Sequence, residues 1–239
     1  MNIKVNNNLI YGRNPVREAL KAGRIKKVFI TKSFSDKEIL ADIESSNAEM
    51  CFVTNNELDE AVKGCHQGVC AIIKEYTYHS LSEIIKKAES KEKKIILLLD
   101  GINDPQNLGA ILRSADIFDV AGVVIPKHNQ VQLTATVAKT SAGAINYVPV
   151  VLVSNLNNAI KELKESGYWI VSTDGSGKVN YQDIKYDVPI GLVIGSEGYG
   201  VSSLVVKNSD FVVKIPMYGH VNSLNASVAA GILLAKIKE

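Results

Sequence analysis

The sequence predicts an α/β protein. Three observations carry that reading. Helical and extended patterns alternate almost throughout, the apolar runs are short and rich in branched residues, and caps, prolines and glycines punctuate them. Asn14-Pro15 supplies a cap followed by a first-turn proline and Gly23 a stop, so a helix is expected over 14–22. Lys27–Thr31 reads as a strand, 36–46 as a helix, Met50–Thr54 as a strand, 55–63 as a helix, and Gly68–Lys74 as an apolar strand. These elements form a small α/β/α unit over 1–75, within the size that folds alone.

Residues 76–93 change in composition to Tyr, His and Ser, followed by a run of Lys and Glu. They read as a polar connection with one short helix, and the domain boundary is placed there. A second unit, 94–239, opens with Ile95–Asp100, a near-continuous apolar run of the kind buried in a parallel sheet. Further strands are expected at 122–126, 147–152, 168–173, 190–194 and 211–215. Helices are expected at about 105–119, 132–142, 155–166, 201–207 and 223–237.

The 239 residues are 46% hydrophobic and 22% charged, ordinary for a globular chain. No apolar run approaches the ~20 residues of a membrane helix, and Met1–Asn6 lacks the pattern of a secretory signal. Three cysteines, an odd number without a framework, point to a reducing cytoplasm. Cys65-His66 and Cys70 lack a fourth ligand, and Cys70 sits among strand residues, so no metal is expected. The net charge of +2 declares no partner. Arg13, Arg17, Lys21, Arg24, Lys26 and Lys27 do crowd the N-terminus. That cluster is either a phosphate footprint or a solvated helix face.

Three segments carry chemistry. In Asp100–Asp116, Asp104-Pro105 caps a helix, with Asn107 in its first turn and Arg113 about 1.7 turns further on, so the two do not share a face. Gly109 inside that helix suggests a close neighbour, while a capped helix with a surface arginine is the plain alternative. In Ile190–Gly200 an apolar strand runs into a turn with three glycines and the carboxylate Glu197. It matches neither the dinucleotide fingerprint nor the P-loop, and its glycines suggest backbone that approaches a flat ligand. In Val212–Leu234 a strand meets Pro216, then Asn222, Ser223, Asn225 and Ser227 crowd a helix entrance where one cap would suffice.

In this order and spacing the segments resemble the signature motifs of the SpoU (TrmH-type) branch of the SPOUT RNA methyltransferases. Motif one is matched by Asn107–Arg113 and motif two by Ile194–Gly198. Motif three is matched by Ile215-Pro216 with Ser223–Ala229. Tyr11–Leu20 and His66–Gly68 further resemble the L30e-like substrate-binding domain of bacterial 23S rRNA guanosine 2′-O-methyltransferases. The resemblance implies a parallel sheet closed by a deep trefoil knot, a homodimer, S-adenosylmethionine as cofactor and RNA as substrate. It also implies that Gly195, Ile215 and Leu224 hold the adenosyl group, with Thr173 and Gly175 in the same crevice. Asn107, Arg113, Glu197, Ser223 and Asn225 would be the catalytic set, and Arg13, Arg17, His66 and Gln67 would meet RNA.

The implied role of Arg113 is to take or direct the 2′-hydroxyl proton. A guanidinium has no lone pair to offer, so it either loses its proton in a special site or stays charged and stabilises the developing alkoxide. The second reading is preferred. A tRNA target stays open, as does a non-catalytic RNA-binding protein. The intact set of Asn107, Arg113, Glu197 and Asn225 argues against the latter. A small-molecule α/β enzyme finds no triad order, nucleophile elbow or metal cluster in its support.

Overall fold

A computed structural model describes residues 8–175, 177, 179–221 and 223–239; the N-terminal stretch Met1–Asn6 and Asn222 lie outside them. The chain begins with β1 (Leu9–Tyr11), α1 (Arg13–Lys21), β2 (Ile25–Thr31), α2 (Lys37–Ser45), β3 (Glu49–Val53), α3 (Asn55–Ala61) and β4 (Val69–Ile73). It continues through α4 (Leu81–Ala88), β5 (Ile95–Asp100), α5 (Pro105–Ile117), β6 (Gly122–Pro126), α6 (Ala135–Thr140), β7 (Val150–Val153) and α7 (Leu156–Glu165). The last elements are β8 (Trp169–Thr173), β9 (Val179–Asn180), β10 (Ile190–Gly195), α8 (Ser203–Asn208), β11 (Phe211–Lys214) and α9 (Ala226–Lys238). Two compact units result: the described residues up to Thr77 with Leu133–Asn146, and Tyr78–Gln132 with Tyr147–Glu239.

In the first unit a mixed sheet runs in the order β1-β4-β2-β3, with β2 and β3 parallel and the other pairs antiparallel. Helix α1 does not start at an asparagine cap. Its N-cap is Gly12, at φ +90°, which has no side chain to offer. The orphan N–H of Arg13 is taken instead by Gln67 Oε1 at 2.9 Å. Helix α3 is closed by a capping box between Thr54 and Glu57, which locks its first turn from both directions. Leu9, Phe29, Leu58 and Cys70 meet in the core, and burial pushes the Cys70 thiol up to about 12.

The helix expected over 132–142 is shorter and belongs to this first unit. It packs on β1, with the Lys139 ammonium 4.5 Å over the Tyr11 ring. Its polar-apolar pattern shows only that one face is buried, not which sheet buries it. The polar connection expected over 76–93 is likewise not a free linker. His79 bridges to Val151 of β7, and Ser80 and Glu83 form a capping box that opens α4. Ile84, fully buried, then lies so close to Gly122 that a Cβ there would sit 2.6 Å from it. Only glycine at the start of β6 lets the helix lie this near the sheet.

The second unit is a seven-stranded sheet in the order β7-β6-β5-β10-β8-β11-β9, every pair parallel. Ile95–Leu99 of β5 are all 0% exposed, which explains the unbroken apolar run: both faces are covered. Each such side chain contributes roughly 1.5–3 kcal/mol relative to its exposed state. Strands β10 and β11 enter between earlier strands, so their carboxyl ends and those of β5 and β8 meet at one rim of the sheet. Open parallel sheets bind ligands at that rim. No helix among the described residues is long and apolar enough to cross a membrane.

Candidate active site

At that rim the loops after β8, β10 and β11 enclose a crevice of about 280 Å³. Val213, Ile215, Leu224, Ala226 and Ala229 give it an apolar lining, and Thr173, Asp174, Ser196, Glu197 and Ser223 a polar one. Gly175 and Gly195 also line it, so all five residues expected around the cofactor border one cavity. Sequence reasoning named no role for Asp174, Ser196, Val213 or Met217, which border it too. Their neighbours carried a motif, but nothing in one sequence marks a small or apolar residue as a ligand wall.

The glycines of the Ile194–Gly200 turn have different reasons to be there. A Cβ on Gly195 would meet the carbonyl carbon of Gly200 at 2.2 Å and Val201 N at 2.4 Å, so the returning chain itself forbids a side chain. Gly200 adopts φ +65°, a left-handed value that favours glycine, and Gly198 faces open space. Two backbone hydrogen bonds close the turn: Ser196 N–H to Gly200 O at 3.1 Å and Gly200 N–H to Ser196 O at 2.9 Å. The tightness expected for a flat ligand is thus first a requirement of the turn.

Glu197, at the tip of this turn, is gripped by two amides. Asn107 Nδ2 donates to Glu197 Oε1 at 2.7 Å, and Asn225 Nδ2 donates to the same oxygen and to Asn107 Oδ1, the latter at 2.8 Å. Asn107 reaches it from the first turn of α5, whose N-cap is Asp104. Asn225 caps α9: its Oδ1 accepts from the N–H groups of Ser227 and Val228 and from the Ser227 hydroxyl. One side chain therefore starts a helix and orients the carboxylate. Ser223 borders the crevice, whereas Asn222 of the same loop lies outside the described residues.

Arg113 does not join this group. It is exposed on α5, and its side chain makes no hydrogen bond or ion pair among the described residues. Six residues past Asn107 its side chain leaves another face of the helix. It shares that face with Ile117, which is 66% exposed.

In the first unit the four residues expected to meet RNA have internal partners. Arg17 donates to Asp36 at 3.1 Å and approaches Glu38 at 3.5 Å, and Arg13 lies 3.9 Å from Asp36. An N–H from Ile39, then Arg17 and Arg13, hold the Asp36 carboxyl below its ordinary range. His66 meets Asp59 at 3.0 Å and accepts the Gly68 N–H, while Gln67 caps α1. Lys21, Arg24 and Lys27 are likewise engaged, with Glu18, the Lys74 and Glu75 carbonyls, and Glu49. Much of the basic cluster is therefore tied to the unit's own acids and carbonyls. Among the described residues no three metal-ligating side chains gather.

A family model for the SpoU rRNA methylases matches residues 94–235, and one for RNA 2′-O ribose methyltransferase substrate binding matches 9–79. A TrmH family tRNA/rRNA methyltransferase, so named, from Staphylococcus epidermidis is 43% identical over 234 residues, 96% of this chain and 94% of that one. Its namesake from Staphylococcus aureus is 44% identical over the same shares. Among solved structures, the SpoU methyltransferase AviRb from Streptomyces viridochromogenes in complex with AdoMet superposes with TM-score 0.83. It is 23% identical, over 96% of this chain and 88% of that one. The A. aeolicus TrmH/SpoU tRNA modifying enzyme superposes with TM-score 0.57 at 30% identity, over 66% of this chain and 80% of that one.

Proposed function

We propose that this chain, which belongs to the SpoU family of S-adenosylmethionine-dependent RNA methyltransferases, methylates the ribose 2′-hydroxyl of a guanosine in 23S rRNA. The observation that carries the chemistry is the Asn107–Glu197–Asn225 cluster at the edge of the crevice, assembled from three distant segments. The crevice suits the cofactor: its lining offers apolar side chains to a flat adenine and polar groups to ribose and amino-acid groups. Gly195, Ile215 and Leu224 would hold it, with Thr173 and Gly175 beside them. When bound it supplies an electrophilic methyl group on a sulfonium, which needs no metal.

The protein's own task is to position the 2′-oxygen and manage its proton. With the cofactor bound, the new O–C bond would replace the methyl group's bond to sulfur, the departing group would be a neutral thioether, and the 2′-hydroxyl proton would pass to water. Asn107, Asn225 and Ser223 orient the ribose and the turn, and Glu197 keeps that turn fixed. Arg113 stays charged and stabilises the developing alkoxide and the neighbouring phosphate. Its place on another face of α5 supports delivery from a second copy. Ile117 and, on the adjoining helix α9, Val228 are exposed apolar side chains of the kind that a homodimer would cover. The insertion of β10 and β11 between earlier strands supports the trefoil-knotted crossing. The match of 9–79 to a substrate-binding model supports the first unit as the RNA-recruiting domain. Free Cys51, Cys65 and Cys70 suit a reducing cytoplasm.

The test is incubation with radiolabelled S-adenosylmethionine and undermethylated 23S rRNA or tRNA, followed by nucleoside analysis. Label in 2′-O-methylguanosine of 23S rRNA is expected. Label in tRNA alone would overturn the target and keep the chemistry, and no transfer to either would favour a non-catalytic RNA-binding role.

A further inference from the structure

Beside the crevice lies a second depression, of about 350 Å³, at the carboxyl ends of β5 and β10. Ser196, Tyr199 and Gly200 line both cavities, so the closed turn is their common wall. The far side of the second depression is polar: Asp100, Asn103, Asn129 and Ser202. Asp100 Oδ2 accepts the Ser202 N–H at 2.8 Å, which braces this side. Asn103 and Asn129 are exposed and make no side-chain hydrogen bond among the described residues. Gly101 and Asn129 both adopt left-handed backbone angles, φ +82° and +54°.

Tyr199 stands on the wall between them and is 97% exposed. The turn beneath it is fixed by the two Ser196–Gly200 hydrogen bonds, and its own N–H reaches Ser196 Oγ at 3.3 Å. An aromatic ring presented to water on a rigid support contributes nothing to the core. Such rings are the platforms on which proteins stack unpaired bases of RNA, while nearby amides read the base edge.

We infer that this depression receives an unpaired nucleobase of the substrate RNA, stacked on Tyr199 and contacted at its edge by Asn103 and Asn129. The inference rests on RNA as substrate and not on the identity of the methylated nucleotide. The base lodged here would place its strand along the turn that carries Glu197, which ties binding of the chain to presentation of a ribose at the crevice.

The test is filter binding of undermethylated 23S rRNA, and in parallel of tRNA, at fixed salt by the full chain saturated with S-adenosylhomocysteine. Tyr199→Ala is expected to weaken binding of the preferred RNA roughly 5- to 100-fold, the range of a lost stacking contact. Tyr199→Phe should stay near wild type, and Asn103→Ala should weaken binding less than Tyr199→Ala. Calorimetry should show S-adenosylmethionine affinity unchanged in Asn103→Ala, and in the Tyr199 variants changed by much less than RNA affinity. Wild-type RNA affinity in Tyr199→Ala would overturn the inference. So would a loss in Tyr199→Phe equal to that in alanine, or cofactor affinity falling in step with RNA affinity. A preference for tRNA would overturn the rRNA target and still judge the tyrosine on tRNA.

Discussion

Asn107 and Glu197, 90 positions apart, are joined by a hydrogen bond of 2.7 Å that ties the first turn of α5 to the tip of the Ile194–Gly200 turn. The amide is the right partner here because it donates to the carboxylate and accepts from Asn225 at once. An aspartate at 107 would put two like charges within hydrogen-bond distance and lose the donor. Asn107→Asp should therefore cut the single-turnover methylation rate more than Asn107→Ala, which itself should cost about 100-fold through misplacement of the site. Equal rates in the two variants would show that the pair does not orient the carboxylate.

Asn225 serves two ends, and substitution separates them. Asn225→Ser keeps an oxygen that can cap α9 but loses the amide donated to Asn107 and Glu197. It should melt near wild type and lose most activity. Asn225→Ala should lose activity and also about 0.5–2 kcal/mol of stability, read from thermal and denaturant melts.

The glycines of the turn should answer differently to alanine. Gly195→Ala puts a methyl group 2.2 Å from the Gly200 carbonyl carbon, and backbone cannot rotate aside as a side chain can. A loss of about 1–3 kcal/mol or more is expected, with collapse of cofactor affinity in calorimetry. Gly198→Ala meets no atom within 4 Å and should change stability by less than about 0.5 kcal/mol. A damaging Gly198→Ala would mean that the tip, too, is shaped for a partner.

Asp36 makes the first unit acid-sensitive. Its carboxyl titrates below the ordinary 3.8 because Ile39 N–H, Arg17 and Arg13 favour the charged form. The stability this supplies is present above that ordinary value and is lost as pH falls through the lowered one. Asp36→Asn should therefore be less stable than wild type at neutral pH and flatten the acid limb of the stability–pH curve. An unchanged acid limb would show that the two arginines are not braced through this carboxylate.

Arg113 offers a test by mixing. If it serves a second copy's crevice, Arg113→Ala and Asn107→Ala chains, each strongly impaired alone, should regain activity when co-refolded, because one site of the mixed dimer has every residue. No recovery in a demonstrably mixed dimer would return Arg113 to its own chain's site.

Much of the second unit could be read in advance, because a strand buried on both faces writes itself as an unbroken apolar run, as Ile95–Leu99 do. The residues around the crevice were legible through their motifs. Their geometry was not: the meeting of Asn107, Glu197 and Asn225 depends on strand order, which local patterns do not encode. In the first unit the failures have one cause. Gln67 caps a helix that starts at Arg13, and Arg17 pairs with Asp36, through contacts distant in sequence. From local pattern the same stretch reads as a helix capped at Asn14 and a basic cluster that is either a phosphate footprint or a solvated helix face. The two-residue strand β9 and the short strand β1 carry too few residues for any periodicity to register.

The return of Leu133–Asn146 to the first unit makes the chain pass between the units three times, after Thr77, Gln132 and Asn146. A module joined by a single thread can be cut off, replaced or borrowed with one break. Here a break after Thr77 would leave a fragment missing the helix that covers β1, and a remainder carrying that helix with nothing to cover. The first unit cannot be exchanged by simple truncation or fusion: any transplant of it must carry both stretches of chain together.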